Sequence, residues 1–327
     1  MKQKTTFSFI ALLLGFFPLF TQAHVKWFAH ESVPVASYTV LSLPVLLGIG
    51  LAIAIVVLGI FLEKKLVVPH TTQRFIERIA PNILSIASIG FGIAFLIFSY
   101  QGFIFAPNLP APIGILGTTM LVIQTMIGFM LLLGIYERVG GFLVLVLFTL
   151  GVAQYGTIEM LDTLEMVGFG LYAMIVGRPK WKMIETQLFQ TTLHKIHSYG
   201  YPLLRVGTGL NLIVLGFTEK LLNPSLTAEF LQAYHWNFMK YIGVSDYWFG
   251  FMAGMVEILF GVFFLFGLIT RTTTIVLALF LVTTLVLLGP VELIGHLPHF
   301  SIAIVLLVLG AGTKLVLVEH NRKIKTH

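Results

Sequence analysis

The chain repeats itself, and that repeat constrains its fold more than any other feature. Residues 89–109, IGFGIAFLIFSYQGFIFAPNL, lie over residues 206–226, VGTGLNLIVLGFTEKLLNPSL, without a gap at an offset of 117. From Ile113 onward the offset is 133, which pairs Gly117 with Gly250, Gln124 with Glu257, Gly128 with Gly261, Gly134 with Gly267 and Arg138 with Arg271. The same register joins Gly156 to Gly289, Glu159 to Glu292 and Gly177 to Gly310. The second copy thus carries about 16 extra residues near AEFLQAYHWNFMKYIG and otherwise matches the first in length. Where two copies of one unit differ, function is the first reason to consider.

The unit is apolar. With 57% hydrophobic residues, 10% charged residues and a mean hydropathy of +0.95, the chain reads as an integral membrane protein and not as a soluble domain. Residues 1–23 have two lysines, an apolar run from Phe7 to Phe20 and a small residue at Ala23, the pattern of a secretory signal cut before His24. Residues 24–38 then form an opening segment on the outer face. Apolar runs near bilayer length follow at 39–62, 83–103, 113–135, 140–155, 160–177, 201–219, 248–268, 272–288 and 299–318, which predicts nine spans.

The expected fold is all-α: two tandem four-helix bundles in parallel repeat, plus one extra N-terminal span. The divisions are 39–82 for that first span and its inner loop, 83–178 for the first repeat and 179–200 for an inner linker lying on the membrane surface as an amphipathic helix. The second repeat and an inner tail occupy 201–327. Four spans is an even number, so both repeats enter the membrane in the same sense, related by an axis along its normal. Cations gather in alternate loops, at Lys64, Lys65, Arg74, Arg78, Arg138, Arg178, Lys195, Arg271 and the tail. This places the N-terminus outside and the C-terminus in the cytoplasm of a bacterial-type inner membrane. The net charge of +6 therefore reports topology and not nucleic acid.

The chain has no cysteine, which excludes thiolate metal ligation, iron–sulfur clusters and disulfide exchange. A glycine-rich phosphate loop, a HExxH pair and a GxSxG turn are also absent. Redox chemistry here would need a quinone, a metal held by His or carboxylate, or a partner protein.

The stretches VGTGLNLIVLGFTEKL, VEILFGVFFLFGLITR and GPVELIGHLP resemble the DoxX/DoxD-type membrane proteins, over 201–311 and more faintly over 85–178. That resemblance implies a four-helix membrane bundle associated with quinone-linked sulfur oxidation or with assemblies that resist oxidative stress. By the same similarity Lys220, Glu257 and Arg271 occupy the family's recurring polar positions. Duplication, the extra first span and the AHVKWFAHES segment depart from the pattern.

The residues point to the outer half of the second repeat. Glu257 lies nine residues beyond Trp248, about 13 Å into the membrane at helical rise, where a carboxylate is costly unless paired or protonated. Lys220, His296 and His299 can reach the same place, whereas the matching positions of the first repeat hold Gln124, Phe103, Thr163 and Met166. Candidate catalytic residues are therefore Glu257, Lys220 and His296, and candidate cofactor-binding residues are Glu257, His299, Asn211 and Arg271. A structural ion pair is the competing account of Glu257. His296 and His299, with His24 and His30 of the opening segment, form a candidate copper set. Three readings remain open at this point: a quinone-linked redox subunit, a copper-binding membrane protein or permease, and a non-catalytic scaffold for a redox partner.

Overall fold

The computed structural model describes residues 35–65, 70–177, 187–289 and 291–318. The signal segment, His24, His30 and the tail from 319 lie outside the described residues. Within them the fold is helical, without a named strand. The helices are α1 (Leu43–Lys65), α2 (His70–Ile79), α3 (Ile83–Gln101), α4 (Ile115–Leu133), α5 (Glu137–Tyr155), α6 (Thr157–Leu161) and α7 (Leu164–Val176). They continue with α8 (Gln187–Leu215), α9 (Pro224–Tyr234), α10 (Asp246–Phe266), α11 (Thr270–Leu288), α12 (Val291–Gly295) and α13 (Leu297–Leu309).

The protein is a polytopic all-α membrane protein. Among the described residues, five helical stretches are long and apolar enough to cross a bilayer: Leu43–Lys65, Arg74–Gln101, Ile115–Leu133, Glu137–Tyr155 and Asp246–Phe266. Glycine ends several of them. Gly134 and Gly267 stop α4 and α10 with φ of 63° and 66°, left-handed values that a residue with a Cβ adopts only at a cost. Helices α5 and α11 begin and end 133 residues apart, as do α7 and α13.

The expected spans at 160–177 and 299–318 take a different form. Helices α7 and α13 have 13 residues each, about 20 Å at helical rise, and each is preceded by a separate five-residue helix. The break before α7 falls at Asp162 and Thr163, both buried in protein, where irregular backbone can find partners. The expected linker boundary at 201 is also absent. Residues 187–200 belong to the same 29-residue helix as 201–215, which runs through Pro202.

Eight helices pack in a closed ring in the order α3, α4, α5, α7, α8, α10, α11, α13 and back to α3. Small residues let their backbones approach, as expected where lipid supplies no hydrophobic drive between helices. A Cβ on Gly92 would lie 2.8 Å from Gly128 O, and one on Gly209 would lie 2.7 Å from Gly261 O. A Cβ on Gly207 would lie 2.8 Å from Gly168 Cα, and one on Gly90 would overlap Ser301 Oγ. In the sequence register Gly90 matches Gly207 and Gly168 matches Ser301, so the junctions α7–α8 and α13–α3 use equivalent positions.

Helix α1 lies outside the ring and packs on α10, with Gly48 and Gly59 under the rings of Phe251 and Phe263. Tyr38 Oη donates to Tyr247 O at 2.8 Å, and Glu63 Oε2 accepts from Ile269 N at 2.7 Å where α11 begins. At the same end Arg205 of α8 is fully buried, yet its guanidinium donates to four carbonyls, those of Phe264, Leu265, Lys314 and Leu315. It caps α10 and ties down the chain beyond α13.

Candidate functional site

At the far end of α8 the helix widens into a π-helical turn, Gly216–Leu221, a feature concentrated at functional sites. Gly216 makes room for it, because a Cβ there would lie 2.9 Å from Gly254 O on α10. The turn brings Glu219 and Lys220, neighbours in sequence, to line one interior space. Lys220 Nζ meets Glu257 Oε2 of α10 at 2.6 Å. Two charges at this depth cost several kcal/mol each to desolvate, which their attraction offsets only when the geometry is good.

The pair stands at the edge of a cavity of about 130 Å³ enclosed by α8, α10, α11 and α13. Leu212, Leu215, Leu277, Leu281, Ile302 and Leu306 form apolar parts of its wall, beside Thr208, Thr274 and Thr284. Phe230 of α9 and Trp236, both from the extra residues of the second repeat, close one end. Trp236 rests on Phe280 of α11 with ring centroids 5.2 Å apart. The volume is close to that of a cavity known to take one benzene-sized ring, and well below that of sites enclosing a whole drug-sized ligand.

Asn211, Lys220, Glu257, His296 and His299 all line this cavity. The two imidazoles sit edge to face, with centroids 5.3 Å apart, and His296 is buried. Asn211 has a second engagement, since its Oδ1 accepts from Leu164 N at 3.0 Å and so caps the start of α7 across the ring. Arg271 is the exception. Its Nε donates to Leu307 O and its Nη2 to Val308 O, both at 3.0 Å, so it holds the last turn of α13 at the opposite end of the bundle. Arg138 does the same for Gly177 O at 2.8 Å. The expectation that Arg271 binds a cofactor is therefore corrected: a cation at the start of α11 lies closer to the exposed carbonyls of α13 than to the cavity.

His24 and His30 lie outside the described residues, and among those described no group of three or more His, Asp or Glu is placed to hold a metal ion. His296 and His299 come together as a pair only.

Three buried carboxylates escaped the sequence reading. Asp162, Glu165 and Glu219 line a second cavity of about 10 Å³, the size of one water, and share it with His299. Thr218 Oγ1 donates to Asp162 Oδ1 at 3.4 Å. The two cavities have Glu219 and His299 in common, so polar groups run on from the Lys220–Glu257 pair toward the first four helices. An acidic residue beside Lys220 inside the apolar stretch 201–221 was the available signal for Glu219.

The matching place in the first four helices is filled. Gln124 is fully buried; its Nε2 donates to Phe103 O at 2.9 Å and Ser99 Oγ at 3.1 Å, while its Oε1 accepts from Phe105 N at 2.8 Å. These bonds fold residues 102–111 into the bundle, and Phe105 packs there against Phe95. Phe91 and Phe169 stack beneath them, where the second repeat has Thr208 and Ile302. Two stacked rings thus occupy the place where the cavity wall has Thr208 and Ile302.

Residues 200–290 match the DoxX family model. That segment of this membrane protein is DoxX-like. The DoxX match spans the second half of α8, the π turn, α9, α10 and all of α11, so Lys220 and Glu257 fall inside it and His296 and His299 beyond it. Residues 83–177 lie outside the match. No curated protein and no solved structure is significantly similar to the chain.

Proposed function

We propose that this DoxX-like protein is the quinone-binding membrane subunit of an oxidoreductase system, with the ring of the quinone seated in the cavity of the second four-helix set. The Lys220–Glu257 pair inside a ring-sized cavity with His296 and His299 on its wall carries the reading. The residues present suit such a group, since its ring needs apolar walls and its carbonyls need hydrogen-bond donors. A quinone supplies a two-electron, two-proton acceptor, the electrons coming from a partner oxidoreductase that oxidises its own substrate. Lys220 Nζ donates to one carbonyl oxygen and holds it, while Glu257, paired with Lys220, fixes the ammonium and relays a proton. His296 is the donor toward the other side of the ring. Binding energy is concentrated on few polar groups, as in most small-molecule sites.

The same reading includes a duplicated unit, supported by the shared helix bounds and by the equivalent glycine junctions. It also puts the His296 end outside and the Arg138 and Arg271 end in the cytoplasm, supported by the cation distribution.

The test is extraction of the protein from its own membrane, followed by mass spectrometry of retained lipids and by titration with a short-chain benzoquinone. Retained quinone, and at least a tenfold loss of affinity in Glu257→Gln and Lys220→Met, are the expected results. Copper retained in place of quinone would overturn the reading in favour of a metal site at His24 and His30. A protein with no ligand and a tight partner would make it a scaffold.

A further inference from the structure

The cavity is too small for a membrane quinone as a whole, and its one protein-covered end is shut by Phe230 and Trp236. Yet it is not sealed. The side chains of Lys220 and Glu257 keep 15% and 21% of their surface, whereas Gln124 at the matching place keeps none. The exposed residues at or beside the cavity include Phe280 of α11 and Val256 of α10. Helix α11 packs more thinly on α10 and α13 than α5 does on α4 and α7. Phe280 of α11 lines the cavity and is also 47% exposed, and Val256 of α10, next to Glu257, is 46% exposed. On a helix that faces hydrocarbon, such exposure is exposure to lipid.

We propose that the cavity is entered sideways from the bilayer, through a slot between α10 and α11 gated by Phe280, by an amphiphile whose linear hydrocarbon tail remains in the slot. This rests on the reading of the cavity as a head-group site and names what the ligand must carry besides its ring. The tail contributes affinity by lying against the apolar flanks of α10 and α11. Specificity for tailed over tail-less ligands then belongs to Phe280 and its surroundings, and not to Lys220 or Glu257. A ring from water would have to displace the Phe230–Trp236 cover, whereas a ring already in the bilayer moves only Phe280.

The chain has no cysteine among its residues, so Phe280→Cys offers a single thiol that a bulky maleimide converts into a plug, with the unmodified variant as the folded control. Two probes share one ring: a tail-less dimethoxy-methyl-benzoquinone and the same ring carrying a decyl chain. Unmodified protein should bind the decyl probe at least tenfold more tightly, and the plug should weaken the decyl probe at least tenfold more than it weakens the tail-less one. Equal losses for both probes, or no loss for either, would overturn the slot.

A second measurement separates the slot from the quinone reading. In vesicles, bilayer-dissolved dicyclohexylcarbodiimide should add to Glu257, as read by mass spectrometry, and the plug should slow that reaction at least fivefold. If neither quinone binds but Glu257 is labelled from the bilayer and protected by the plug, the quinone reading fails and the slot stands. Labelling by a water-soluble carbodiimide alone, or no labelling, refutes the slot.

Discussion

The rings of Phe91 and Phe169 lie nearly parallel, 6° apart in plane and 3.6 Å apart in centroid, at the place where the second four-helix set has Thr208 and Ile302. The first four-helix set is filled at this place and the second borders a cavity there.

Exchange across the repeats should move the hollow. Phe91→Thr with Phe169→Ile removes two buried rings and should lower stability by about 2–4 kcal/mol through lost packing and a residual void. Thermal unfolding in detergent measures the loss, and xenon binding in a crystal of the variant checks that the void is real. The reverse change, Thr208→Phe, should fill the 130 Å³ cavity and abolish ligand retention at a cost of about 1–3 kcal/mol from overpacking. A variant that keeps its ligand would place the binding site elsewhere.

The Lys220–Glu257 pair distinguishes structure from function by a double-mutant cycle. Lys220→Met or Glu257→Gln alone strands one partner and should cost about 1–3 kcal/mol, less than a fully enclosed pair because both side chains retain some exposure. The double variant should regain most of that stability. Recovery of ligand binding along with stability would reduce the pair to a packing device.

Arg205 should be the residue whose loss hurts the fold most without touching the cavity. Its fork serves four carbonyls at once, so Arg205→Ala leaves them buried without that donor and should cost about 2–4 kcal/mol. Arg205→Lys should recover no more than half, since an ammonium cannot reproduce the planar geometry. Chemical denaturation in mixed micelles reads both values, and full recovery by lysine would contradict the assignment.

Topology has its own check. Reporter fusions at residues 70, 188 and 325 should all give a cytoplasmic signal, and an outer signal at any of them would break the proposed nine-span arrangement with its proposed outward N-terminus.

Much of this architecture is legible in the sequence. Glycines at 134, 156, 267 and 289 mark helix ends, and the constant offset of 133 anticipates that α5 and α11 share their bounds. Comparing repeats also drew attention to Lys220, Glu257, His296 and His299, which the fold brings to one cavity. Other features depend on tertiary partners that no local pattern announces. The break at Asp162 and Thr163 survives because Asn211, 47 residues on, accepts the first amide of α7. Arg205 reads as an ordinary cation near a helix end until the carbonyls of α10 surround it. Arg271 was misplaced for the same reason, its acceptors lying 36 and 37 residues away.

The helix ring is closed at two equivalent junctions, α7 with α8 through Gly168 and Gly207, and α13 with α3 through Ser301 and Gly90. The helices of the second junction come from opposite ends of the described chain, so no short stretch of peptide holds them together there. Packing alone therefore suffices to make this contact once, and the matching positions at α7–α8 should suffice again. Cut between residues 177 and 187, the two halves should assemble like the chains of a heterodimer when expressed from separate genes.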